Sequence, residues 1–318
     1  MSNITAKIIA DSISPQGIRL TTFEIEYPRF ILAELNTHRM LSKNSASSRA
    51  IPVKTMHEHI LAQGAEPVSW GLNRPGMQAS EDLDAEGQVM AKFYWDGAKK
   101  SAIRFAAQLA QLGVHKQLTN RITEPWMTMK TVITGTEWAN FYWLRNHADA
   151  QPEIRELAAA MYGEHTNSKP RELEPGEWHL PYVWASRDIM GALYYRDETG
   201  SELSLEDAKA ISASCCAQVS YRKNDGGIEK ARNILDKLIN SKPAHSSPVE
   251  HQATPMPHRQ AIGAATVQQA WPPGITHQDR KGNYWSGNLQ GWIQLRKTIA
   301  DEAQWGVIPT HQDETDSI

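Results

Sequence analysis

The most informative stretch of this 318-residue chain reads Asn36-Thr37-His38-Arg39-Met40-Leu41-Ser42-Lys43-Asn44-Ser45-Ala46-Ser47-Ser48-Arg49. It holds two arginines, one histidine, two side-chain amides and four serines within fourteen residues. Short donors and backbone amides in a turn can surround an anion, and arginine adds paired charge-assisted hydrogen bonds. The stretch therefore predicts either a phosphate or carboxylate site or a solvated polar loop, and its residues alone favour neither.

The residues before this stretch predict a strand and then a helix. Residues 18–27 alternate in polarity like a half-buried strand. Pro28 suits the first turn of a helix whose apolar residues include Ile31 and Leu35. The polar stretch is then a loop at the end of a helix, a place where binding groups often lie.

Helices outnumber strands in the rest of the chain. The patterns predict a strand at 127–133 and helices at 80–112 (capped by Ser80, with Gly97 as a break), 137–145, from Pro152, 205–217 (capped by Ser204) and 228–239 (ended by Pro243). We expect residues 255–288 to be irregular and the tail 309–318 to be frayed. No glycine fingerprint of a Rossmann unit or P-loop follows a strand, and an α+β fold is expected.

Charge and hydropathy narrow the class of protein. The chain has 33 basic and 36 acidic residues, a formal net charge of −3, and its basic residues are scattered. A nucleic-acid polymer needs a basic surface, whereas a small anion needs only a few placed arginines. The sequence has no apolar run of about 18 residues and no secretory signal pattern at its start. We expect a soluble, cytoplasmic protein that binds a small ligand, with neither a membrane nor a nucleic-acid polymer as partner.

The two cysteines are neighbours, Cys215 and Cys216. Adjacent cysteines make a strained disulfide, and no Cys-x-x-Cys pair is present to hold zinc. We expect two partly buried thiols, and a nucleophilic cysteine would have to come from this pair.

A second informative segment reads Glu137-Trp138-Ala139-Asn140-Phe141-Tyr142-Trp143-Leu144-Arg145, followed by Ala150-Gln151-Pro152-Glu153-Ile154. On a helix Asn140 and Arg145 lie roughly 140° apart and would face different groups. The alternative is that Arg145 is only a cation at a helix C-terminus, favoured by the helix dipole.

A third segment comprises Gln218-Val219-Ser220-Tyr221 and His245-Ser246-Ser247-Pro248-Val249-Glu250-His251. Two histidines and a glutamate could suggest a metal site. However, Pro248 disfavours the regular helix that usually presents metal ligands four residues apart. We predict no metal here.

Together these segments resemble the flavin-dependent thymidylate synthases. The family pattern of His-Arg, seven residues, Ser, one residue and Arg is met by His38-Arg39, Ser47 and Arg49. The family's Asn-Phe-x-x-Leu-Arg and Ala-Gln-x-Glu-Ile elements match the second segment. Its Val-Ser-aromatic and His-x-Ser/Thr-Pro-x-Glu-His elements match the third, but in the usual layout they come first. The chain is therefore expected to be circularly permuted.

The resemblance implies one domain over residues 1–318, with helices packed on a mixed central sheet. Residues 164–201 have no evident counterpart and are expected to be an insertion, and 255–318 an extra C-terminal region. Family members are homotetramers that bind FAD where subunits meet and reduce it with NADPH. They transfer the methylene of methylenetetrahydrofolate to C5 of dUMP and reduce it to the methyl of dTMP. They use no cysteine nucleophile, and this chain has no Pro-Cys-His element.

The resemblance also implies roles for individual residues. Arg145 would be catalytic, polarising the pyrimidine and stabilising charge on its ring. The nucleotide would also contact Ser47, Ser48, Arg49 and Arg121. The cofactor FAD would contact His38, Arg39, Asn140, Ser247, Ser220 and His245.

Four departures from the family pattern concern the same region. Thr37 replaces an arginine, Ser45 a glutamate, Glu34 a glutamine, and Thr134-Gly135-Thr136 an Asn-x-Arg element. Losing the arginine and the glutamate together avoids leaving one charge unpaired. Glu34, placed in the substrate site, could accept a hydrogen bond from the exocyclic amine of cytosine, so dCMP is an alternative substrate.

Other functions stay open on the sequence alone. The same motifs fit a sister enzyme that acts on dCMP or stops at a hydroxymethyl group. A catalytically inactive scaffold would bind nucleotide or flavin without turnover, and an unrelated hydrolase would use Glu250 and His251. The C-terminal tryptophans Trp271, Trp285 and Trp292 pack either in the core or against a partner subunit.

Overall fold

The computed structural model describes residues 4–76, 78–79, 81–221, 227–241, 245–257, 271–300 and 302. The α-helices are α1 Leu32–Asn36, α2 Val53–Gln63, α3 Ala85–Gln111, α4 Lys116–Thr119, α5 Ala139–Arg145, α6 Pro152–Asn167, α7 Leu205–Ala217 and α8 Ile228–Asn240. The strands are β1 Thr5–Ile13, β2 Arg19–Pro28, β3 Ser42–Ser45, β4 Thr128–Gly135, β5 Arg171–Glu172, β6 Trp184–Arg187, β7 Leu193–Arg196, β8 Glu202–Leu203, β9 Ala253–Pro255, β10 His277–Gln278, β11 Tyr284–Ser286, β12 Leu289–Gln290 and β13 Trp292–Gln294.

A five-stranded sheet in the order β3-β4-β2-β1-β5 forms the centre of the fold. Its pairs are antiparallel except β1 with β5, so the sheet is mixed. The predicted strand at 18–27 is confirmed as β2, but Pro28 is its last residue and pairs with Thr128. The predicted helix after it begins as a 3-10 turn, Arg29–Ile31, and continues as α1.

Helices α5 and α6 cover one face of this sheet. Their fully buried side chains recur every three or four residues and meet apolar residues of β2 and β4, giving a core that includes Phe23, Ile25, Tyr27, Ile133, Phe141, Ile154, Leu157 and Met161. Burying one large apolar side chain contributes about 1.5–3 kcal/mol to folding. A smaller cluster, which joins Val132 to Cys216 and Val219, connects β4 to α7 and the turn after it. The α+β class with helices on a mixed central sheet is confirmed.

The structure corrects three local predictions, one near the candidate site and two in α3. The polar stretch 36–49 is not all loop, because β3 pairs with β4 through four residues. Helix α3 is capped by Asp84, whose Oδ1 accepts from the Gly87 amide at 2.8 Å. The predicted cap, Ser80, lies outside the described residues. Gly97 does not break the helix, which runs unbroken to Gln111.

The C-terminal region is more ordered than its composition predicted. Strands β10, β11 and β12 form an antiparallel sheet, and β13 pairs with β9, so 255–288 is not irregular throughout. Trp292 is fully buried and Trp285 nearly so, which confirms core packing for these two. The ring of Trp271 meets that of Tyr284 edge to face. The helices predicted from Pro152, at 205–217 and at 228–239 are present, whereas Pro243 and 309–318 lie outside the described residues.

Both cysteines are free and buried. Burial raises the pKa of the Cys216 thiol, and a protonated thiol is a poor nucleophile. In the part of the chain that the structure describes, no helix is both long and apolar enough to cross a bilayer.

Candidate active site

The polar stretch is held in a compact turn by Lys43. Its ammonium donates to the carbonyls of His38 at 2.5 Å and Leu41 at 3.0 Å. Burial lowers the pKa of Lys43 to about 8, and the negative charge of Glu250 opposes that shift. Together with the pairing of β3 to β4, these bonds fix His38 at the end of α1.

Arg145, at the C-terminus of α5, lies directly on this turn. Its Nε donates to His38 Nε2 at 2.9 Å, and its Nη2 donates to Thr37 Oγ1 at 3.1 Å. The ring of Phe141, one turn earlier on the same helix, meets the His38 ring edge to face at 5.0 Å. Arg145 is therefore oriented by two neutral groups, and among the described residues no carboxylate pairs with it.

The bond from Arg145 requires His38 to be neutral, because an imidazolium has no acceptor nitrogen. Burial, helped by the positive charges of Arg145 and Lys43, lowers the pKa of His38 to about 4. At neutral pH the ring can therefore accept from Arg145, and the guanidinium keeps its full charge. The sequence predicted both residues but assigned them to different ligands.

A second cluster forms around Glu124. Its Oε1 accepts from Arg121 Nη1 at 2.8 Å and lies 2.9 Å from Arg29 Nη2. Ser48 Oγ also donates to it, at 3.4 Å. Two guanidinium groups share one carboxylate, so the cluster carries a net positive charge. Arg29 is largely buried, whereas Arg121 is half exposed.

Asn120 fastens the residues after β3 to this cluster. Its amide donates to the carbonyls of Ser48 at 2.8 Å and Ile51 at 3.0 Å. Arg49 is exposed, and its backbone N–H donates to Ser47 Oγ at 3.3 Å. The structure thus brings Ser48 and Arg121 to one carboxylate and places Ser47 and Arg49 in the adjoining turn.

The sequence analysis missed Glu124 and Arg29. The available signal was the spacing of Glu124 three residues after Arg121, which places both on one side of a helical turn. Arg29 gave no comparable signal, because its contact depends on a turn almost one hundred residues further along the chain.

The third segment folds against the first. Asn44 Nδ2 donates to the Cys216 carbonyl at 2.5 Å, and Ser247 Oγ donates to Asn44 Oδ1 at 3.3 Å. Ser247 begins the 3-10 helix Ser247–Glu250, which contacts β3. Segments about two hundred residues apart in sequence are therefore neighbours in the fold.

The other predicted cofactor residues are less closely grouped. Arg39 and Asn140 are exposed, on the turn and on α5 respectively. His245 is also exposed, and its backbone N–H donates to the Leu238 carbonyl at 2.9 Å. The backbone of Ser220 lies in the 3-10 helix Gln218–Tyr221, but its side chain is outside the described part of the structure.

Glu34 lies on α1, one turn before Thr37. Its backbone carbonyl accepts from Thr37 Oγ1 at 2.7 Å. Within the described residues, its Oε2 atom is buried and has no hydrogen-bond partner. A buried acceptor without a donor is costly, so this oxygen would gain from a rotation of the side chain toward a donor.

The departures Thr37 and Ser45 have partners of their own. Thr37 accepts from Arg145, and Ser45 Oγ accepts from Thr131 Oγ1 at 2.8 Å. Thr131 in turn lies 2.9 Å from the Tyr27 hydroxyl. Both positions hold uncharged, hydrogen-bonded side chains, which agrees with a compensated loss of the arginine and the glutamate.

At the departure Thr134-Gly135-Thr136, both threonines contact the chain itself. Thr134 Oγ1 is 2.8 Å from His251 Nδ1 and 2.7 Å from Thr22 Oγ1. Thr136 Oγ1 accepts from the backbone N–H of Gln290 at 3.2 Å. A Cβ on Gly135 would meet the Cδ2 atom of Leu41 at 2.5 Å, so a larger residue here would require the Leu41 side chain to move.

The C-terminal region also reaches the polar stretch. Asn288 Nδ2 donates to the Met40 carbonyl at 3.1 Å, and Ser42 Oγ donates to Asn288 Oδ1 at the same distance. Gln294 Nε2 donates to the Glu250 carbonyl at 3.1 Å. The C-terminal strands therefore support the turn that carries His38, a role the sequence did not predict.

Glu250 and His251 both contact other side chains of the chain. Glu250 pairs with Arg296, while His251 is fully buried against Thr134. Burial lowers the pKa of His251 to about 3, so the ring is neutral. Among the residues that the structure describes, no three side chains of histidine, cysteine, aspartate or glutamate converge to hold a metal ion.

Comparison with known families gives the same assignment as the motifs. The family described as thymidylate synthase complementing protein matches residues 13–171. The chain belongs to this family. The match includes the segments that carry His38, Arg121 and Arg145, and the third segment lies beyond it.

Similarity to individual members is low. No curated protein matches the chain significantly. Among solved structures, the UMP/dUMP methylase PolB from Streptomyces cacaoi bound with 5-Br dUMP is similar at 16% identity and a TM-score of 0.44, over 52% of this chain and 91% of that one. The same methylase bound with 5-Br UMP gives 16% identity and a TM-score of 0.42, over 52% and 89%. Such low similarity does not carry that enzyme's chemistry over to this member of the thymidylate synthase complementing protein family.

Proposed function

We propose that this chain is a flavin-dependent thymidylate synthase, which methylates C5 of dUMP with methylenetetrahydrofolate as carbon donor and NADPH as reductant. The observation that carries the proposal is the guanidinium of Arg145, held by neutral His38 and Thr37 with no carboxylate beside it. A fixed cation with its charge unneutralised can stabilise negative charge that develops on a pyrimidine ring. Family membership supports the reaction class.

The two clusters have different tasks in this proposal. We call Arg145, His38 and Thr37 the base side, and Arg29, Ser48, Arg121 and Glu124 the phosphate side. On the phosphate side, Arg121 and the nearby Arg49 would bind the 5′-phosphate, together with the hydroxyls of Ser47 and Ser48. Arginine suits this role because its planar group can donate two parallel hydrogen bonds to phosphate oxygens.

The donor set around the polar stretch fits a flavin dinucleotide in part. Arg39 offers a cation for the pyrophosphate, and Asn140 and Ser247 offer an amide and a hydroxyl. Thr134 and Thr136 are bonded to His251 and Gln290 and would not contribute. Bound reduced flavin would supply the hydride that completes the methyl group, while His38 keeps Arg145 in place.

The surface of α3 supports the expected homotetramer. This 27-residue helix buries only Ala102 and Ala106 in the chain, and its exposed apolar side chains include Val89, Met90, Phe93, Tyr94 and Phe105. Exposed apolar patches on this scale mark interaction surfaces. Light scattering should give four chains for the native protein and fewer for Phe93→Asp.

The proposed organisation of the chain rests on the order of the motif segments. We infer one circularly permuted domain, with 164–201 as an insertion and 255–318 as an added region. The contacts of Ser247 with Asn44, and of Asn288 with Met40, support this arrangement, because they fold the late segments onto the early one. The cytoplasmic location stays a prediction from the sequence.

A single-turnover reaction tests the proposed function. The protein is reconstituted with FAD, reduced with NADPH and mixed with methylenetetrahydrofolate and either dUMP or dCMP. Mass spectrometry of the nucleotide should show the addition of a methyl group to dUMP. Failure to bind flavin would contradict the proposal. Flavin and nucleotide binding without turnover would instead indicate an inactive scaffold.

Glu34 favours a second candidate, a related enzyme that methylates or hydroxymethylates dCMP. Its buried, unpartnered Oε2 needs a donor, which the exocyclic amine of cytosine would provide. The test is the variant Glu34→Gln, which restores the residue usual in the family. If dCMP is the substrate, this change should lower kcat/KM for dCMP about tenfold or more and leave dUMP no worse, since one charge-assisted hydrogen bond is lost. Equal effects on both nucleotides would exclude Glu34 from base selection.

A further inference from the structure

A polar cleft of about 230 Å³ lies at the opposite edge of the central sheet from the candidate active site. Strand β3, beside the active site, is one edge of the sheet, and β1 and β5 form the other. The cleft is lined by Ile9, Ala10, Asp11, Ser12, Lys169, Arg171, Trp178, His179, Leu180, Val183, Trp184, Ala185 and Tyr195. Of these residues, only Lys169 and Arg171 fall within the family match at 13–171. The cleft is therefore built mainly from parts of the chain outside the family core.

Two cations of the cleft lack a counter-ion. Within the described residues, neither Lys169 nor Arg171 makes an ion pair. Both side chains are exposed at the mouth of the cleft, and partial burial of the Arg171 guanidinium, together with the nearby positive charge of Arg187, lowers its pKa. A guanidinium in such surroundings is stabilised by an anion that approaches it from the cleft.

Two carboxylates near the cleft, Asp11 and Glu177, are already neutralised. Asp11 accepts from Arg19 at 2.9 and 2.6 Å, from Thr21 at 3.0 Å and from Ser168 at 2.6 Å. Glu177 accepts two bonds from Arg187, both at 2.7 Å. Neither acid is free to neutralise Arg171, so the cleft keeps a positive character.

The rest of the cleft lining includes an uncharged histidine, His179, and the aromatic ring of Trp184. His179 is fully buried, and its two ring nitrogens lie 2.9 Å from Ser12 Oγ and 2.8 Å from Thr22 Oγ1. Burial lowers the pKa of His179 to about 3, so it adds no charge. Trp184 is 69% exposed and presents its ring at the cleft. An exposed indole beside two cations suits a planar group joined to an anion.

We propose that this cleft binds a small organic anion, a carboxylate or phosphate monoester attached to one planar ring. Arg171 and Lys169 bind the anion, and Trp184 contacts the ring. The volume is smaller than the roughly 300–1,000 Å³ of sites for drug-sized ligands, which limits the ligand to about one ring. This site is separate from the proposed nucleotide site and does not depend on its function.

Calorimetric titration of the full chain with phenyl phosphate and with benzoate tests the proposal. Both probes carry one ring, and the stronger binder identifies the anionic group. Wild-type protein should bind at least one probe with a Kd of about 1 mM or tighter. Arg171→Gln should weaken that binding about tenfold or more, since one charge-assisted contact is removed. Lys169→Gln and Trp184→Ala should each weaken it by a smaller factor.

The matched control is Arg280→Gln, which removes an exposed arginine that does not line the cleft. It should bind the probe like wild type, and so should Arg145→Gln, which alters the candidate active site only. Lys169 and Arg171 are both exposed, so each variant should fold, and Lys169→Gln provides a second test of the cleft. No saturable binding to wild type would overturn the proposal. Loss of binding in Arg145→Gln but not in the cleft variants would overturn it too.

Discussion

The base side and the phosphate side hold their arginines in opposite ways. Arg145 is oriented by a neutral imidazole and a hydroxyl, whereas Arg121 and Arg29 share the carboxylate of Glu124. A neutral partner orients the guanidinium and leaves its positive charge unopposed. A carboxylate also holds the guanidinium in place, but it offsets part of that positive charge. Under the proposed function, this difference assigns Arg145 to the charge that changes during the reaction and the phosphate side to a charge that stays constant.

The largest effect is expected from Arg145→Gln. This change removes the cation while keeping a polar side chain, so charge on the pyrimidine loses its stabilisation. We expect kcat to fall by about 100- to 1,000-fold, as when one fixed donor to a developing charge is lost. The rate of flavin reoxidation in a single turnover at saturating nucleotide measures this chemical step. A rate close to wild type would remove Arg145 from the chemistry.

Variants of His38 should have the next largest effect, because they change the orientation of Arg145 without removing its charge. His38→Ala should lower kcat about tenfold, because Arg145 loses the acceptor that directs it. His38→Gln keeps an acceptor near the position of Nε2 and should recover much of that loss. If both variants were equally impaired, His38 would act through another contact.

A smaller effect is expected on the phosphate side. Arg121→Gln should raise the Kd for the nucleotide several-fold, up to about tenfold, since one of several phosphate contacts is lost. At saturating nucleotide kcat should stay near wild type, which is the opposite pattern to Arg145→Gln. Equilibrium binding of dUMP and of uncharged deoxyuridine distinguishes the two sides. A weakened affinity for deoxyuridine as well would assign Arg121 to the base.

The sequence predicted the participants of both sides better than their contacts. His38, Arg145, Ser48 and Arg121 were all named from motifs. The bond between Arg145 and His38 joins the ends of two helices separated by 107 positions, and no local pattern encodes such a pairing. Glu124 was overlooked because a glutamate on a polar turn resembles any solvated residue until a buried arginine is found beside it.

The fold was likewise predictable only where local sequence patterns determine the structure. Strand β2 and helices α6, α7 and α8 were predicted because periodicity and capping residues are local signals. Strand β3 consists of Ser42-Lys43-Asn44-Ser45, which has no strand propensity, and it exists because β4 lies beside it. The C-terminal strands were likewise hidden by a composition rich in glycine and proline.

The pH dependence of folding should also reflect the base side. The pKa of His38 lies near 4 in the folded chain and near 6.5 when exposed, so the unfolded chain binds a proton more readily between these values. The contribution of neutral His38 to stability is complete above about pH 6.5 and is lost as the pH falls toward 4. Denaturant unfolding of wild type and His38→Gln over this range should show a weaker pH dependence in the variant.

The most direct test of the account is a pH titration of the His38 ring by NMR in wild type and in Arg145→Gln. The account predicts a pKa near 4 in wild type and a higher value in the variant, because the guanidinium no longer opposes protonation. An ordinary pKa near 6.5 in both proteins would contradict it. In that case the ring would feel neither its burial nor the charge of the guanidinium, and His38 could not be the group that contacts and orients Arg145.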